Sequence, residues 1–356
     1  MPPEELRLLV IASTYPANAG DGTPGFVRDL AAGEARHLTT VVLVPRVPGA
    51  PSAERDGALE VRRFRYFPSR WEDLAEGAIL ENLRRRPSRW LQVIPFLICQ
   101  AIAVRRMIRR FQPHVLHVHW LLPQGVIARL VANGTPRLLT LHGGDLYALN
   151  GRLPRMLKRW ALRDASAITV MNADMRQRVD ELGSGSGTAR VLPMGAAVAD
   201  LRAAMAGVER VRGRLLFAGR LVEKKGVAVL LRALAKLDPE VPWSLEVVGD
   251  GPLRGGLEAA SAPLGDRVRF RGTLDRERLA KAMAASEIIV LPSVPAASGD
   301  QDGRPVVLVE GMAAGCAIVA SRLPGLDEAI VDEVNGLLVP PGDADALAVA
   351  ISRLLL

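Results

Sequence analysis

The sequence predicts an α/β protein with two domains, each built around a parallel β-sheet. Three observations lead to this prediction. The chain has 356 residues, which is too long for one typical hydrophobic core. Continuous apolar runs such as Leu6–Ser13 are typical of strands covered on both faces. Predicted strands also alternate with predicted helices in both halves, as in parallel sheets.

The order of these elements suggests where one domain ends and the next begins. In the first half we expect strands at 6–13, 39–44, 61–67, 114–120, 137–141, 167–171 and 190–195, and helices at 26–36, 152–164 and 173–182. In the second half we expect strands at 214–218, 244–248, 268–271, 288–291 and 317–320, and helices at 226–237, 252–261, 276–285 and 305–314. Because the pattern breaks after Gly195, we assign one domain to 1–197 and the other to 198–356.

The net charge of +8 indicates an anionic partner, either nucleic acid, anionic lipid or a phosphorylated substrate. Nucleic acid is disfavoured because no helix-turn-helix, zinc-finger or RNA-recognition pattern accompanies the charge. Cys99 and Cys316 lie within apolar runs of different halves, which indicates buried thiols in a reducing compartment. Neither a signal peptide nor a transmembrane run of about 18 apolar residues is expected, so we expect a cytoplasmic protein.

One basic segment, at 84–110, suggests contact with the inner face of a membrane. About 15 mostly apolar residues lie between two arginine clusters, which is typical of a segment at an anionic membrane surface. It is too short to span, and Gln92, Pro95 and Gln100 are expected to interrupt it. Trp71 and Trp90 would then lie at headgroup level. The alternative is a buried helix with solvated ends. The clusters are Arg84, Arg85, Arg86 and Arg89, and Arg105, Arg106, Arg109 and Arg110.

Several loops of the first half follow strands at positions where α/β sheets bind ligands. The Gly-rich stretch 14–25 is not the Gly-x-Gly-x-x-Gly spacing of a nicotinamide site, which disfavours a dehydrogenase; it could also be an ordinary loop. His117 and His119 are expected on one face of a strand. A zinc site there is disfavoured, because no Cys, Asp or Glu completes a ligand set. His142 and Gly143 end another strand, either as a ligand site or as a tight turn.

In the second half, the turn 219–226 leaves a strand, enters a helix and carries Arg220 and Lys225. Two fixed cations could hold phosphate oxygens, although a basic turn can also be merely solvated. Further on, Asp302 lies in a loop and Glu310 in the helix predicted from Pro305, with Gly315 as its left-handed cap. The start of that helix favours an anion.

Taken in order, these segments resemble the retaining GT-B glycosyltransferases of family 4. The resemblance rests on 14–26, 117–125, 142–145, 190–195, 219–226, 249–252 and 302–310. The family's acidic signature has two Glu eight positions apart, and Asp302 replaces the first. The resemblance implies a GT-B fold, with two Rossmann-like parallel-sheet domains facing across a cleft. It also implies sugar transfer from a nucleotide-diphosphate donor with retention of configuration.

The resemblance also implies roles for individual residues. Arg220 and Lys225 would neutralise the leaving diphosphate, Glu310 would hold the ribose, Asp302 would reach the donor sugar, and His142 would orient that sugar. Phe270 would lie near the base, with its side chain in the core. The implied donor-binding positions are Gly22, Gly25, Gly143, Gly219, Gly249, Gly251, Phe270, Gly303, Arg304 and Pro305.

No metal and no cofactor are expected, because Arg and Lys supply the positive charge; the substrate would be a UDP- or GDP-sugar. The acceptor would be a glycan or lipid-linked intermediate of cell-envelope or polysaccharide synthesis. Family members continue beyond the position of Leu356 into crossover helices, so weakened activity is expected unless a partner or oligomer replaces these helices. The alternatives are an epimerase or phosphorylase of the same fold, or a non-catalytic nucleotide-sugar-binding protein.

Overall fold

The computed structural model describes residues 6–18, 21, 23, 25–77, 79–183 and 189–356. The chain forms two compact units, which consist mainly of the residues up to Leu192 and of Pro193–Leu356. Each unit contains one β-sheet with helices between its strands. The expected pair of α/β domains with parallel sheets is therefore confirmed.

The first unit contains an eight-stranded sheet in the order β3-β4-β2-β1-β5-β6-β7-β8. All neighbours are parallel except β3 and β4, which form an antiparallel pair. The strands are β1 Arg7–Ile11, β2 Thr39–Pro45, β3 Ala53–Asp56, β4 Leu59–Phe64, β5 Val115–His119, β6 Arg137–Thr140, β7 Ala167–Val170 and β8 Ala189–Val191. The helices are α1 Phe26–Glu34, α2 Ile79–Arg85, α3 Trp90–Phe111, α4 Val126–Val131, α5 Gly144–Tyr147, α6 Arg152–Leu162 and α7 Ala173–Glu181.

The second unit contains a six-stranded, wholly parallel sheet in the order β11-β10-β9-β12-β13-β14. Its strands are β9 Val211–Ala218, β10 Ser244–Val248, β11 Val268–Gly272, β12 Ser286–Leu291, β13 Ala317–Ser321 and β14 Leu337–Val339. Its helices are α8 Val198–Met205, α9 Val227–Leu234, α10 Arg254–Ser261, α11 Arg276–Ala285, α12 Val306–Ala313 and α13 Ala344–Leu355.

Both faces of the second sheet are buried, as its apolar strands predict. In β9, Leu215 and Phe217 belong to one hydrophobic cluster, while Leu216 and Ala218 belong to another. Because successive side chains of a strand point to opposite faces, the two clusters lie on opposite sides of the sheet. The 215–218 part of this strand is therefore apolar at every position and does not alternate with polar residues.

The strand order creates one reversal point in each sheet. From β9 the chain adds β10 and β11 on one side and then β12 to β14 on the other. From β1 it likewise adds β2 on one side and later β5 on the other. Open α/β sheets bind ligands at the carboxyl ends of the strands beside such a reversal. The ends of β9 and β12, and of β1 and β5, are therefore the places to look for a site.

The basic apolar segment differs from its expected form. It contains a continuous 22-residue helix, α3. Gln92, Pro95 and Gln100 interrupt the apolar run but not the helix, and the expectation that the segment is too short to span was wrong. The polar residues Gln92 and Gln100 are buried on one side of this helix. By length and composition alone, Pro87–Phe111 is the one helical stretch of the described residues that is long and apolar enough to cross a membrane.

Candidate active site

Two loops meet at the reversal point of the second sheet. The turn 219–226 follows β9, and the loop 292–305 follows β12. The backbone N–H of Val294 donates to the carbonyl oxygen of Lys224 at 2.9 Å. Gly226 has a φ of +64°, and a Cβ there would overlap the carbonyl oxygen of Pro292. Glycine therefore permits the close approach of these two loops.

A second contact joins the turns that follow β9 and β10. Gly249 has a φ of +127°, and a Cβ at this position would overlap the carbonyl oxygen of Gly219. A Cβ at Gly251 would be 2.5 Å from the carbonyl oxygen of Leu221. The N–H of Leu221 donates to the carbonyl oxygen of Asp250 at 2.9 Å. These predicted donor-binding glycines thus have a packing role; their contact with a donor stays a prediction.

The two loops bring oppositely charged side chains into direct contact. Lys225 Nζ donates to Asp302 Oδ2 at 2.8 Å, and Ser293 Oγ donates to the same oxygen at 2.9 Å. Lys224 Nζ lies 3.7 Å from Asp302 Oδ1 and 3.1 Å from the Asp300 carboxylate. Asp302 is only 8% exposed. Lys225 and Asp302, to which the family resemblance gives different substrate groups, are therefore partners in this structure.

The charges in this cluster stabilise one another. Burial alone would raise the pKa of Asp302, but Lys225 and Lys224, with hydrogen bonds from Lys225 and Ser293, hold that pKa below its ordinary value. Burial alone would lower the pKa of Lys224, but Asp302 and Asp300 raise it above its ordinary value. Asp302 and Lys224 therefore both remain ionised at neutral pH, in a partly buried setting where charge interactions are strong.

The other acidic candidate lies on α12. This helix begins at Val306, so Pro305 precedes the first turn rather than lying within it. The expected left-handed cap at Gly315 is confirmed by its φ of +70°. Glu310 is half-buried in the second turn. Of the neighbouring candidates, Gly303 is buried and Arg304 is half-buried.

Two further candidates lie near the ends of strands. Arg220 is half-buried directly after the end of β9. Phe270 lies on β11 and packs against the hydrophobic core of the second unit, which confirms the expected position of its side chain. A role for its backbone near a base stays a prediction.

The first unit places His142 at the end of β6, beside residues that end β5. The His142 ring stacks on that of His119, with ring centroids 5.2 Å apart. Phe26 and Trp120 flank it at centroid distances of 4.9 and 4.8 Å. Trp120 adopts a φ of +69°, which is strained for a bulky residue and is often found at functional sites.

Hydrogen bonds fix these histidines. His119 Nδ1 lies 2.9 Å from His142 Nε2, and His119 Nε2 is buried without a hydrogen-bond partner among the described residues. An unpaired N–H is costlier than an unpaired lone pair, so we place the hydrogen of His119 on Nδ1. His142 Nε2 is then the acceptor, which leaves the N–H of neutral His142 on Nδ1. His117 and His119 lie on the same face of β5, as expected, and their rings stack. His117 Nδ1 donates a hydrogen bond to the Glu34 carboxylate at 2.6 Å.

Burial keeps both stacked rings neutral. It lowers the pKa of His142 to about 3, with a smaller contribution from His117. Burial also lowers the pKa of His119 well below its ordinary value, assisted by His117 and His142. A neutral His142 can donate a hydrogen bond to a sugar oxygen, but it cannot supply a positive charge near neutral pH.

The loop after His142 is held from inside the unit. The Asp145 carboxylate accepts hydrogen bonds from the N–H groups of Leu121, His142 and Gly143 at 2.8, 3.2 and 3.1 Å. Burial raises the pKa of Asp145, and these hydrogen bonds oppose the shift. Gly143 has a φ of +112°. Asp145 thereby fixes the backbone conformation at His142 and Gly143.

Two candidates of the first Gly-rich loop remain. Gly25 immediately precedes α1, and its carbonyl oxygen accepts a hydrogen bond from the N–H of Asp29 at 2.8 Å. Gly22 lies outside the described residues. Within the described part of the chain, no group of three or more His, Cys, Asp or Glu could hold a metal ion.

Sequence reasoning missed some members of these clusters. Ser293 was not a candidate, although it follows β12 at its carboxyl end, and that position could have signalled it. Lys224 directly precedes the chosen candidate Lys225 and was not itself chosen, yet it also faces Asp302. His119 was considered only for zinc or local hydrogen bonds, whereas it stacks on His142.

Comparisons with known proteins agree with this architecture. Residues 22–195 match the family described as "Glycosyl transferase 4-like domain", and residues 212–356 match "Glycosyl transferases group 1". The 2-deoxystreptamine glucosyltransferase of Streptomyces kanamyceticus is 30% identical over 344 residues, which cover 88% of this chain and 84% of that protein. A phosphatidyl-myo-inositol mannosyltransferase of Mycolicibacterium smegmatis is 32% identical over 258 residues, which cover 71% and 64% of the two chains.

Solved structures show the same fold. Sucrose-phosphate synthase from Thermosynechococcus elongatus superposes with a TM-score of 0.74 at 22% identity, covering 99% of this chain and 90% of that one. Anabaena HepE in complex with UDP-glucose superposes with a TM-score of 0.68 at 18% identity, covering 98% and 89%. The expected GT-B fold is thus confirmed, and the chain belongs to the family 4 type of GT-B glycosyltransferases.

Proposed function

We propose that this glycosyltransferase moves a sugar from a nucleotide-diphosphate donor, with retention at the anomeric carbon. The observation that carries the proposal is the buried pair of Lys225 and Asp302, with Lys224 beside it, at the reversal point of the second sheet. Anionic ligands bind at such strand ends. HepE, which shares the fold, has been crystallised with UDP and with UDP-glucose, which supports a UDP- or GDP-sugar as the donor.

The departing diphosphate defines the first role. Breaking the bond to the sugar places negative charge on the phosphate oxygens, and fixed cations stabilise that charge. Lys225 is already oriented by Asp302, so it needs little reorganisation to meet this charge. Arg220 would add a two-point contact with the phosphates. The start of α12, at Gly303–Pro305, would add the positive end of the helix dipole.

The remaining roles concern the donor's sugars. Asp302 Oδ2 holds Lys225 and Ser293. Its Oδ1, which lies 3.7 Å from Lys224 Nζ, would also accept a hydrogen bond from a donor sugar hydroxyl. Glu310 would accept hydrogen bonds from the ribose. His142, with its N–H on Nδ1, would donate to an oxygen of the donor sugar and orient it.

Retention follows from attack on the same face that the leaving group departs from. In this scheme the acceptor hydroxyl attacks the anomeric carbon as the bond to the diphosphate breaks. Because the acceptor hydroxyl itself attacks the anomeric carbon, no residue of the chain acts as nucleophile. The leaving phosphate takes the acceptor's proton, so no residue has to act as the base. The lysines and Arg220 would supply the charge that a divalent cation supplies in other glycosyltransferases.

For the acceptor we propose a glycan or lipid-linked intermediate of cell-envelope or polysaccharide synthesis. A related protein is named for mannosyl transfer to phosphatidyl-myo-inositol, and another for amylovoran biosynthesis. We also propose that the enzyme works in the cytoplasm at the inner face of the membrane.

The test is thermal unfolding with UDP, GDP, ADP and dTDP. Selective stabilisation by one nucleotide, lost in Arg220→Ala and Lys225→Ala, is the expected result. Lys281→Ala is the matched control, because this lysine is half-exposed and pairs with the exposed Glu277 on its own helix. Donor turnover is then followed with and without acceptor. Stabilisation by nucleotide that persists in both variants would contradict the proposed contacts of Arg220 and Lys225 with the diphosphate. Conversion of the donor without an acceptor would favour an epimerase.

A further inference from the structure

One face of α3 carries an exposed apolar row. Leu91, Ile94, Ile98 and Ile102 are 74, 67, 54 and 44% exposed. Their spacing of three or four residues places them on one side of the helix. We call this row the apolar stripe; at 1.5 Å per residue it is roughly 17 Å long. Large exposed apolar patches on soluble proteins usually mark an interaction site.

The opposite face anchors α3 to its own unit. Gln92, Phe96, Gln100 and Val104 recur every four residues, and all four are buried. The helix packs against β1, β4 and α4. Because one side is bound to the sheet, α3 cannot be surrounded by lipid. The helix can therefore lie along a surface but cannot cross a membrane in this fold.

Exposed arginines continue the same face. Arg105 and Arg109 follow Ile102 at the same helical spacing, and both are exposed. A second exposed group, at the other end of the stripe, consists of Arg84, Arg85 and Arg86. Arg89 does not belong to this surface, because it is 8% exposed and donates to Asp73 at 2.7 Å. The charge thus lies at both ends of an apolar surface, which suits an anionic bilayer.

The direction of α3 relates the stripe to the ligand edge of the first sheet. The helix ends at Phe111, and β5 begins at Val115. In such a crossover the helix runs opposite to the parallel strands, so its amino end lies towards their carboxyl ends. The most exposed stripe residue, Leu91, is at that end, and so is Trp90, which is 62% exposed. The carboxyl end of β6 carries His142.

We propose that the apolar stripe and its flanking arginines dock the first unit on an anionic lipid bilayer, so that the enzyme takes its acceptor from that surface. The proposal rests on the proposed function only for the identity of the acceptor as a lipid-linked molecule. The stripe enters the interface, and the arginines contact lipid phosphates. The ligand edge of the first sheet then lies close to the membrane, where a lipid-anchored acceptor is concentrated.

The test is co-sedimentation of the full chain with vesicles of phosphatidylcholine alone, or mixed with phosphatidylglycerol. We expect binding to the mixed vesicles only, weakened by salt. The stripe variant L91Q/I94Q/I98Q should lose most of this binding. The arginine variant R105Q/R106Q/R109Q/R110Q should bind more weakly by roughly fivefold per arginine.

Matched controls come from the second unit. V331Q/V334Q/V349Q changes residues that are 61, 79 and 70% exposed, and R202Q/R212Q/R232Q/R278Q changes exposed arginines. Both controls should bind like the unchanged protein. Equal binding of the stripe variant and the unchanged protein would overturn the proposal. So would equal binding to both vesicle types, or a stripe that mediates self-association without vesicle binding.

The vesicle result can be separated from the donor proposal. Stabilisation by nucleotide, measured without vesicles, should be the same in the stripe variant and the unchanged protein. If no nucleotide stabilises the unchanged protein but vesicle binding follows the stripe, the donor proposal fails and the docking surface stands. If nucleotide stabilises both proteins but neither binds vesicles, the docking surface fails alone.

Discussion

Replacing Asp302 by Asn tests whether the ion pair of Asp302 with Lys225 stabilises the second unit. Asn has nearly the same shape and can still accept the hydrogen bond of Ser293. It removes the negative charge that Lys225 contacts at 2.8 Å and Lys224 approaches at 3.7 Å. Breaking one side of a buried ion pair costs about 3–5 kcal/mol. Since the two lysine side chains are 17 and 22% exposed and can regain some water, we expect about 3 kcal/mol.

The assay is urea unfolding followed by circular dichroism, first at about pH 7.5, where a carboxylate with an unfolded pKa of about 3.9 is fully ionised. The folded pKa of Asp302 is lowered, so its ionised form stabilises the fold above that unfolded value. This contribution is lost as the pH falls through the lowered folded pKa. The stability difference between unchanged protein and variant should therefore shrink below about pH 4.

Asp266→Asn is the control, because Asp266 is exposed and such a change usually costs less than about 0.5 kcal/mol. A cycle with Lys225→Met should show that the two losses do not add, since both remove one interaction. An Asp302→Asn protein as stable as the control, with unchanged pH dependence, would refute the reasoning.

Three further predictions concern packing and protonation. Gly249→Ala should destabilise the fold by roughly 3 kcal/mol in urea unfolding, because its Cβ overlaps Gly219; Gly255→Ala, in open space on α10, should not, and equal effects would contradict the packing role. Because the pKa of His142 is lowered to about 3, the unfolded chain gains a proton below about pH 6.5 that the native ring resists. The free energy of unfolding should therefore decrease as the pH is lowered, and this group should account for about 2 kcal/mol of the decrease at pH 5. His142→Phe should remove this contribution; the same dependence of stability on pH in the variant and the unchanged protein would contradict the prediction. Lys158 is buried and donates to two carbonyl oxygens, those of Leu146 and Ala148, so Lys158→Met should cost roughly 3 kcal/mol by thermal or urea unfolding, and a neutral effect would contradict this role.

Elements with a clear apolar pattern could be predicted closely from the sequence. The strand Ser244–Val248 and the helix Arg276–Ala285 have the bounds that the sequence predicts. The strand Ala53–Asp56 could not be predicted, because Ala-Glu-Arg-Asp has no apolar face. It exists because β4 pairs with it as an antiparallel neighbour. The helix Val198–Met205 was likewise not predicted, because it lies in the Ala-rich, polar stretch where the alternating pattern breaks.

The sequence indicates candidate site residues one by one, but it does not indicate which of them are in contact. The sequence indicates that Lys225 and Asp302 follow strands, but these residues are 77 positions apart. Their contact depends on strand order, which places β9 and β12 side by side. The stacking of His119 on His142 likewise depends on the pairing of β5 with β6. Neither of these strand pairings can be deduced from the local sequence.

The departure from the family's acidic signature can be understood from this pairing. Asp302 keeps the negative charge of the Glu it replaces but has one methylene less. In the structure that shorter side chain ends on Lys225 and Ser293, so its first effect is on the position of a cation. If the first acidic residue of the signature served only to contact the sugar, the shorter side chain of Asp302 would weaken that contact. As one half of an ion pair, Asp302 retains the charge that orients Lys225, and we propose that activity depends on this charge more than on the missing methylene.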